Sequence, residues 1–493
     1  AAMMVLRRDV PVEVDLGALA PRPDMQATRR LFEFLEFKTM AKRVDDLVKD
    51  RGWESRSDPG TATSPDADEA GTTGIEITFG ESTEVSAAEA ARLIASVSEL
   101  VMAARWEGDP GRSPLSGLSI VTDAHSGSTA WLPPNVVRDA GVLSALSSHQ
   151  AVVVHDAKPI MRSLMSDGAD MPGLVLDTQI AIYLVDPSRS SYSLAAVSLD
   201  LLGTEPRGSV ESTGQFDFGG AQEAALQRAC GDDAVLVGHL SSVLRNRLKA
   251  IDNESLYADI ENPLVHVLAR MEHLGIAVDR TALETIKTRL TAEAAELTER
   301  LFGIAGKQFN VNSTNQLREI LYEDRGLTPG KKTKTGYSTD AATLEKLHDE
   351  WPEFIGPLLR YREVEKLRST YGEGLLAEVG PDSRIHATFN QTVARTGRLS
   401  SDRPNLHNIP VRTDEGRVFR TAFVAREGCL LMVADYNQIE LRCIAHLADD
   451  PGLVTAFNAG EDIHRATAAR VFGVDPSQVT HDQRSKAKMV SYG

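Results

Sequence analysis

The segment that most constrains the fold is an apolar run ending in an acid, from Leu430 to Asp435. Such a run predicts a buried strand that ends at Asp435. A carboxylate at a strand end is fixed in place and partly shielded from water. Mg²⁺ prefers oxygen ligands and takes one or two carboxylates together with substrate phosphates. The segment therefore indicates a metal-binding acid.

A second pattern lies at residues 484–493, where Arg484, Lys488 and Tyr492 follow one another at intervals of four. On a helix this spacing places all three side chains on one face. Two cations and an aromatic ring on a helix face, together with a metal carboxylate, indicate a site for a nucleoside triphosphate.

Three ordered segments resemble motifs of the family A DNA polymerases. Asp435-Tyr436-Asn437-Gln438-Ile439-Glu440-Leu441-Arg442 is similar to motif A, D-Y-S-Q-I-E-L-R, with Asn437 where Ser is usual. Residues 484–493 are similar to the start of motif B, R-x-x-x-K-x-x-x-F/Y-G. The third segment, Thr396 to Ser401 followed by Pro404 to Pro410, resembles T-G-R-L-S-S…P-N-L-Q-N-I-P.

The resemblance implies an α/β and α+β multidomain fold, in which an RNase H-like (3′-5′ exonuclease-like) α/β domain precedes a right-hand polymerase domain. Residues 1–43 are expected to be the tail of an upstream 5′-nuclease region and 44–74 an acidic linker. The exonuclease-like domain is expected at 75–254 and the polymerase domain at 255–493. Within the latter we expect the thumb at about 260–375 and the start of the palm and the fingers at about 376–493. The sequence stops inside motif B, before a second palm carboxylate, so we interpret it as a portion of a polymerase.

Charge distribution matters more here than the net charge of −17. Residues 44–91 hold three basic and twelve acidic side chains, whereas residues 384–420 hold seven arginines and three acids. Phosphate binding depends on a local basic surface, so the second region is a candidate DNA contact. The three cysteines lack metal or redox spacing, and no run of eighteen apolar residues predicts a membrane span.

Periodicity also predicts individual elements. Strands are expected at Ile75–Phe79, Gly117–Val121 and Ala151–Val154. Helices are expected at Ala87–Ala104, Leu236–Lys249, Leu264–Leu274 and Ala282–Phe302. A further helix should start near Ser313 and Thr314, either of which can serve as its N-cap.

The resemblance also implies roles for single residues. Asp435 would bind two Mg²⁺ ions, with Mn²⁺ as a possible substitute, and the backbone carbonyl of Tyr436 would help to hold one of them. Lys488 would also donate a proton to the leaving pyrophosphate, and Glu440 would exclude a ribose 2′-hydroxyl. The residues expected to contact the incoming deoxynucleotide are Arg484, Lys488, Tyr492, His464, Gln438 and Glu440. The residues expected to contact primer–template DNA are Arg398, Arg412, Lys331, Lys332, Lys334, Arg362, Lys366 and Arg368.

The exonuclease-like region departs from its family pattern. Where the first exonuclease motif has D-x-E, this chain has Arg105-Trp106-Glu107. The acid of the second motif falls on Ile160, and the third motif keeps Asp233 but has Ala229 in place of Tyr. Because two metal carboxylates are missing, we expect this domain to be inactive.

The predicted function is therefore template-directed DNA synthesis in repair and replication gap filling, by a two-metal mechanism without proofreading. Two alternatives stay open: a non-catalytic DNA-binding fragment, and an active exonuclease with displaced ligands. We expect a cytoplasmic, nucleoid-associated monomer with no membrane contact.

Overall fold

The computed structural model describes residues 77–207, 221–330, 332–333, 336–409 and 414–492. The chain divides between Val424 and Ala425 into two compact units. The expectations for residues 1–43 and 44–74 lie outside the described residues.

The first unit begins with a six-stranded mixed sheet in the order β1-β4-β3-β2-β5-β6. Its strands are β1 (Ser82–Glu84), β2 (Leu100–Trp106), β3 (Leu115–Asp123), β4 (Ser128–Leu132), β5 (Val152–Val154) and β6 (Leu174–Asp177). Strands β2, β3 and β4 form an antiparallel meander, with Met102 opposite Ile120 and Ile120 opposite Ala130. β5 and β6 extend the sheet in parallel beyond β2, and β1 pairs in parallel with β4. An antiparallel meander flanked by parallel strands is the strand order of an RNase H-like sheet.

Helices pack against this sheet and enclose its apolar core. They are α1 (Ala87–Ser96), α2 (Pro134–Val137), α3 (Ala140–Ser148), α4 (Ala157–Ser166), α5 (Thr178–Val185), α6 (Leu194–Leu202), α7 (Ala221–Ala250), α8 (Glu254–Leu256) and α9 (Asn262–Leu274). A π-helical turn, Tyr257–Glu261, joins α8 to α9. Because Val265 and Ala269 of α9 belong to the same buried cluster as the sheet, α9 packs as part of this layer.

Two predictions for this region were wrong in part. The predicted helix Ala87–Ala104 stops at Ser96, and Leu100–Trp106 is strand β2. Ser86 begins the helix with a capping box that includes Glu89, a local signal, whereas β2 exists because it pairs with β3 and β5. Residues 77–79 are not strand; β1 begins later, at Ser82. The predicted strands at 117–121 and 151–154 and the helix at 236–249 are confirmed.

A second buried cluster runs from Val278 to Ala422 and is built mainly from helices. The helices are α10 (Arg280–Ala305), α11 (Thr314–Arg318), α12 (Ala341–Leu347), α13 (Pro352–Leu367), α14 (Gly374–Ala377) and α15 (Asp414–Thr421). π-Helical turns at Glu319–Asp324 and Arg368–Glu373 and a 3₁₀ turn at Leu406–Asn408 complete this part. The two long helices α10 and α13 pack on each other, and Leu290 and Leu358 are among the buried residues that they contribute to this cluster. The helices predicted at 264–274 and 282–302 are confirmed, and Ser313 is the N-cap of α11.

Short strands connect the parts of the first unit. They are β7 (Ile276–Ala277), β8 (Lys332–Thr333), β9 (Gly336–Tyr337), β10 (Arg384–Ile385), β11 (Thr388–Asn390) and β12 (Ser400–Asp402). β7 pairs with β10, β8 with β9, and β11 with β12, each pair antiparallel. The mixed, helix-rich α/β fold expected from the sequence is confirmed, whereas the domain boundary at 254/255 stays a prediction.

The second unit contains four helices between residues 425 and 492: α16 (Ile439–Leu447), α17 (Pro451–Asn458), α18 (Ile463–Phe472) and α19 (His481–Tyr492). A 3₁₀ turn, Pro476–Gln478, lies between α18 and α19. α18 packs on α19 around a small apolar cluster that includes Ala468, Val479 and Ala487.

The predicted buried strand ending at Asp435 is wrong. Residues 430–436 have no regular structure, and Leu430, Met432 and Val433 are 95%, 88% and 94% exposed. A strand is stabilised by backbone pairing and by side chains packed on its neighbours. Residues 425–492 contain only helices, so this apolar run has no strand to pair with inside its own unit.

Candidate nucleotide and nucleic-acid site

The turn after Asp435 is shaped by the residues that follow it. Asp435 and Tyr436 are exposed, and Gln438 adopts a left-handed backbone conformation with φ of 54° immediately before α16. Arg442 holds the turn, because its Nε donates to the carbonyl of Asn437 at 3.0 Å. The Arg442 guanidinium also lies over the Phe457 ring, 4.5 Å from its centroid. Arg442 is the last residue of the motif quoted above, and no role was predicted for it from the sequence.

Glu440 lies in the first turn of α16 and is exposed, one residue beyond Ile439. Asp435 is thus followed closely in the sequence by Asn437, Gln438 and Glu440. Their proposed contacts with the sugar of a nucleotide stay predictions.

The residues of the predicted cationic face, Arg484, Lys488 and Tyr492, all belong to helix α19. Its Arg484 pairs with Asp462, the N-cap residue of α18. The Arg484 Nε donates to Asp462 Oδ2 at 2.7 Å, while Asp462 Oδ1 accepts the backbone N–H groups of His464 and Arg465 at 3.0 and 3.2 Å. One carboxylate therefore caps α18 and orients the Arg484 fork. Lys488, one turn further along α19, is exposed.

The electrostatics of this cluster favour an anion. Burial alone would raise the pKa of Asp462, but the hydrogen bonds from Arg484 and from the backbone outweigh it, and the net shift is downward. Burial lowers the pKa of His464, whose side chain is nearly enclosed, and the charges of Arg484 and Lys488 lower it further against the effect of Asp462. His464 is therefore neutral at neutral pH, and the free charge of the cluster comes from Lys488 and from the partly compensated Arg484.

The side chain of Tyr492 lies outside the described residues, although the backbone of α19 reaches it. Asp462 was not among the candidate site residues of the sequence analysis. Its pairing with Arg484 joins residues 22 positions apart, and no local sequence signal could have indicated that contact.

The predicted DNA-contacting residues have differing environments. Lys332 is exposed on the β8–β9 hairpin near the Tyr337 ring, and Lys366 is exposed on α13. Arg362, in contrast, is half-buried and donates to the backbone carbonyl of Thr339. Arg368 is held by two acids. Its guanidinium pairs with Glu365 at 2.8 Å and with Glu373 at 2.5 Å.

Lys332 and Lys366 are therefore more accessible to DNA phosphates than Arg368, because Arg368 already pairs with two acids of the same chain. Arg398 is exposed in the loop between β11 and β12. Lys331, Lys334 and Arg412 lie outside the described residues.

The remnant of the exonuclease pattern forms an ion pair. The Arg105 guanidinium at the end of β2 pairs with the Asp233 carboxylate of α7, and Ile160 is buried beside them at the edge of a cavity of about 160 Å³. Burial raises the pKa of Asp233 to about 6, although the Arg105 charge opposes that shift. Glu107 is exposed. The Arg105 guanidinium therefore lies next to Asp233, the one acid of the exonuclease motifs that lines this cavity.

Within the part of the chain that the structure describes, no three or more His, Cys, Asp or Glu side chains cluster so as to hold a metal ion. Asp435 supplies one exposed carboxylate, next to the backbone carbonyl of Tyr436. Such a donor set fits a Mg²⁺ ion that shares its remaining positions with phosphates and water. The helices in the same described ranges are all too short or too polar to span a bilayer.

The described chain combines a sheet-centred part, a helical part around a second buried cluster, and a second unit whose helix α19 carries Arg484 and Lys488. Residues 280–493 match the family described as "DNA polymerase family A". Among solved structures, the chain is similar to the "POL domain of Pol1 from M. smegmatis complex with DNA primer-template and dNTP". The TM-score is 0.72 at 36% identity, covering 84% of this chain and 71% of that one. The chain belongs to DNA polymerase family A.

Two curated relatives of this chain are named DNA polymerase I. DNA polymerase I of Mycobacterium tuberculosis (strain ATCC 25618 / H37Rv) is 36% identical over 99% of this chain and 53% of its own length. DNA polymerase I of Bacillus subtilis (strain 168) is 39% identical over 77% of this chain and 43% of its own length. The chain therefore spans about half the length of the curated relatives it matches.

Proposed function

We propose that the protein containing this chain is a DNA-directed DNA polymerase, which transfers a nucleotidyl group from a deoxynucleoside triphosphate to a primer 3′-hydroxyl. The observation that carries the proposal is the cluster on α18 and α19, where Asp462 orients Arg484 one helical turn from exposed Lys488. A planar cationic fork and a movable ammonium group on one helix face suit a triphosphate.

Each part of the cluster has a distinct role in this proposal. Arg484 holds the phosphates in one orientation, and Lys488 stabilises the charge that develops on the leaving pyrophosphate and supplies its proton. His464 is neutral and can donate one hydrogen bond to a phosphate oxygen without adding charge. Tyr492 and Glu440 would contact the sugar, with Glu440 rejecting a ribose 2′-hydroxyl.

Asp435 and the Tyr436 carbonyl would hold Mg²⁺ in this site. When bound, the metal ions of such a site neutralise the attacking and leaving oxygens. The exposure of Asp435 supports the assignment, because its oxygens are accessible to an ion and a nucleotide. Two ions are proposed.

The partners are primer–template DNA and deoxynucleoside triphosphates, the molecules named for the M. smegmatis structure. Arg398 would contact the minor groove at the primer terminus, where base pairs offer similar acceptors. Lys332 and Lys366 would contact phosphates without reading sequence. A monomer working on chromosomal DNA in the cytoplasm, in repair and gap filling, completes the proposal.

We also propose that the exonuclease-like region does not proofread. Arg105 neutralises Asp233 and places a positive charge where a metal ion would need two carboxylates, and Ile160 offers no ligand. An assay on a labelled single strand with Mg²⁺ should detect no 3′-5′ degradation, and Asp233→Ala should leave that background unchanged. Degradation that is lost in Asp233→Ala would favour the exonuclease alternative.

The deciding experiment is primer extension by the full-length protein with Mg²⁺ and deoxynucleotides. Asp435→Ala should abolish extension and leave primer–template affinity nearly unchanged. A matched control is Asp482→Ala, which removes an exposed acid from α19 that pairs with Lys486 at 2.8 Å. Normal DNA binding without extension by the unaltered protein would instead identify a non-catalytic DNA-binding protein.

A further inference from the structure

The loop that carries Arg398 is held in place by the sheet-centred part of the first unit. β11 and β12 form a two-stranded ribbon in which Phe389 lies opposite Ser401, and residues 391–399 connect them. Arg398 is exposed in this loop. A two-stranded ribbon has little stability of its own, so its position depends on what it contacts.

The main contact is a buried ionic triad. Glu272 of α9 is 2% exposed. Its carboxylate accepts hydrogen bonds from two side chains of α4, Lys158 Nζ at 2.7 Å and Arg162 at 3.3 Å. The Glu272 carboxylate also accepts the backbone N–H of Phe389 at 2.8 Å, while Lys158 donates to the Phe389 carbonyl. The backbone N–H of Phe389 is therefore bound by a negative charge, and its carbonyl is bound by a positive charge. In a larger sheet, a third strand would bind these two groups through its own backbone.

Further side chains hold the ribbon and its loop. Arg112 donates to the carbonyl of His386 at 2.7 Å and to the Thr388 hydroxyl at 3.0 Å. The Tyr183 hydroxyl of α5 donates to the carbonyl of Ala394 at 2.7 Å, inside the loop itself.

Several polar contacts hold this interface. A cavity of about 340 Å³ lies between α4 and the ribbon, lined by Arg112, Lys158, Arg162, Thr388 and Asn390, among others. Where two elements meet across a cavity, few neighbouring atoms resist a shift when one polar contact is lost.

We propose that the sheet-centred part of the first unit, together with α9 packed on it, positions the loop that carries Arg398 at the primer terminus. Lys158 of α4 and Glu272 of α9 are positioning residues that act through Arg398. The proposal rests on the polymerase function above.

A double-mutant cycle on the full-length protein tests this inference. The measurement is single-nucleotide addition to matched and mismatched primers. Lys158→Met should lower the rate on matched primers by roughly tenfold to a hundredfold, because about 1 Å of misplacement has that effect on a positioned group. It should also reduce the preference for matched over mismatched termini. In an Arg398→Ala background, Lys158→Met should cause a further change of no more than about twofold, since the two residues act in one pathway.

The control is Arg207→Met in the same part of the chain. Arg207 pairs with the buried Asp232 at 2.9 Å and has no hydrogen bond or ion pair to residues 384–403 in its described contacts, so its loss should leave the matched-to-mismatched ratio unchanged. Lys158→Arg keeps the cation and should restore most of the rate. If Lys158→Met does not fold, Tyr183→Phe serves instead and should show a smaller loss with the same dependence on Arg398.

Losses that add fully in the double variant, or an unaltered rate for Lys158→Met beside an impaired Arg398→Ala, overturn the inference and leave the polymerase assignment intact. Failure of the polymerase assignment is distinguishable, because the unaltered protein would then extend no primer at all.

Discussion

Replacing Asp233 with asparagine should stabilise the first unit at pH 8. Burial raises the pKa of this carboxyl from 3.8 to about 6, even with Arg105 beside it. Between these two values the folded protein binds a proton that the unfolded chain has released, so stability falls as the pH rises through this window. Each pKa unit is worth about 1.4 kcal/mol, and the full effect above about pH 7 is therefore about 3 kcal/mol.

Asparagine has the shape of the protonated acid and does not ionise. The Asp233→Asn variant should therefore match the unaltered protein near pH 4, exceed its unfolding free energy by roughly half of the full effect at pH 5, and reach about 3 kcal/mol at pH 8. The assay is urea unfolding of both proteins at several pH values, followed by the fluorescence of Trp106 and Trp131 in the same sheet.

The control is the neighbouring acid. Asp232 forms a two-pronged pair with Arg207 at 2.9 and 3.0 Å, so Asp232→Asn should destabilise the protein. A stability difference for Asp233→Asn that does not vary between pH 4 and pH 8, or a loss of stability at pH 8, would refute the reasoning from burial.

Two further predictions concern the nucleotide site. Asp462→Asn keeps an oxygen to cap α18 but removes the charge that orients Arg484; unfolding free energy should fall by less than about 1 kcal/mol. The KM for deoxynucleotides should rise about three- to tenfold, because Arg484 must then be ordered on binding, and an unchanged KM in single-nucleotide insertion kinetics would contradict this role. Tyr492→Phe should strengthen discrimination against dideoxynucleotides, since the tyrosine hydroxyl can fill the space of a missing 3′-hydroxyl. Competition between the two nucleotides checks this, and equal incorporation ratios for both proteins would exclude it.

Sequence periodicity predicted most helices well because helix signals are local. α10 was expected at 282–302 and spans Arg280–Ala305, with Asp279 as its N-cap. α19 was expected from the spacing of Arg484, Lys488 and Tyr492, and it includes all three. The three ordered motifs indicated the family, since the identity and order of side chains are properties of the chain.

Strands and charge pairs were decided by the tertiary structure. The run at Leu430 looks like a strand, but a strand needs partners, and residues 425–492 supply only helices. Leu100–Ala104 was predicted as the end of a helix, but pairing with β3 and β5 makes it part of strand β2.

The ion pairs have the same origin. Arg105 with Asp233, Asp462 with Arg484, and Lys158 with Glu272 join residues that lie far apart in sequence. The sequence by itself determined which chemical groups are present and which helices carry them. Only the folded chain determined which charges meet, because a charge pair depends on distance in space and on the burial that strengthens it.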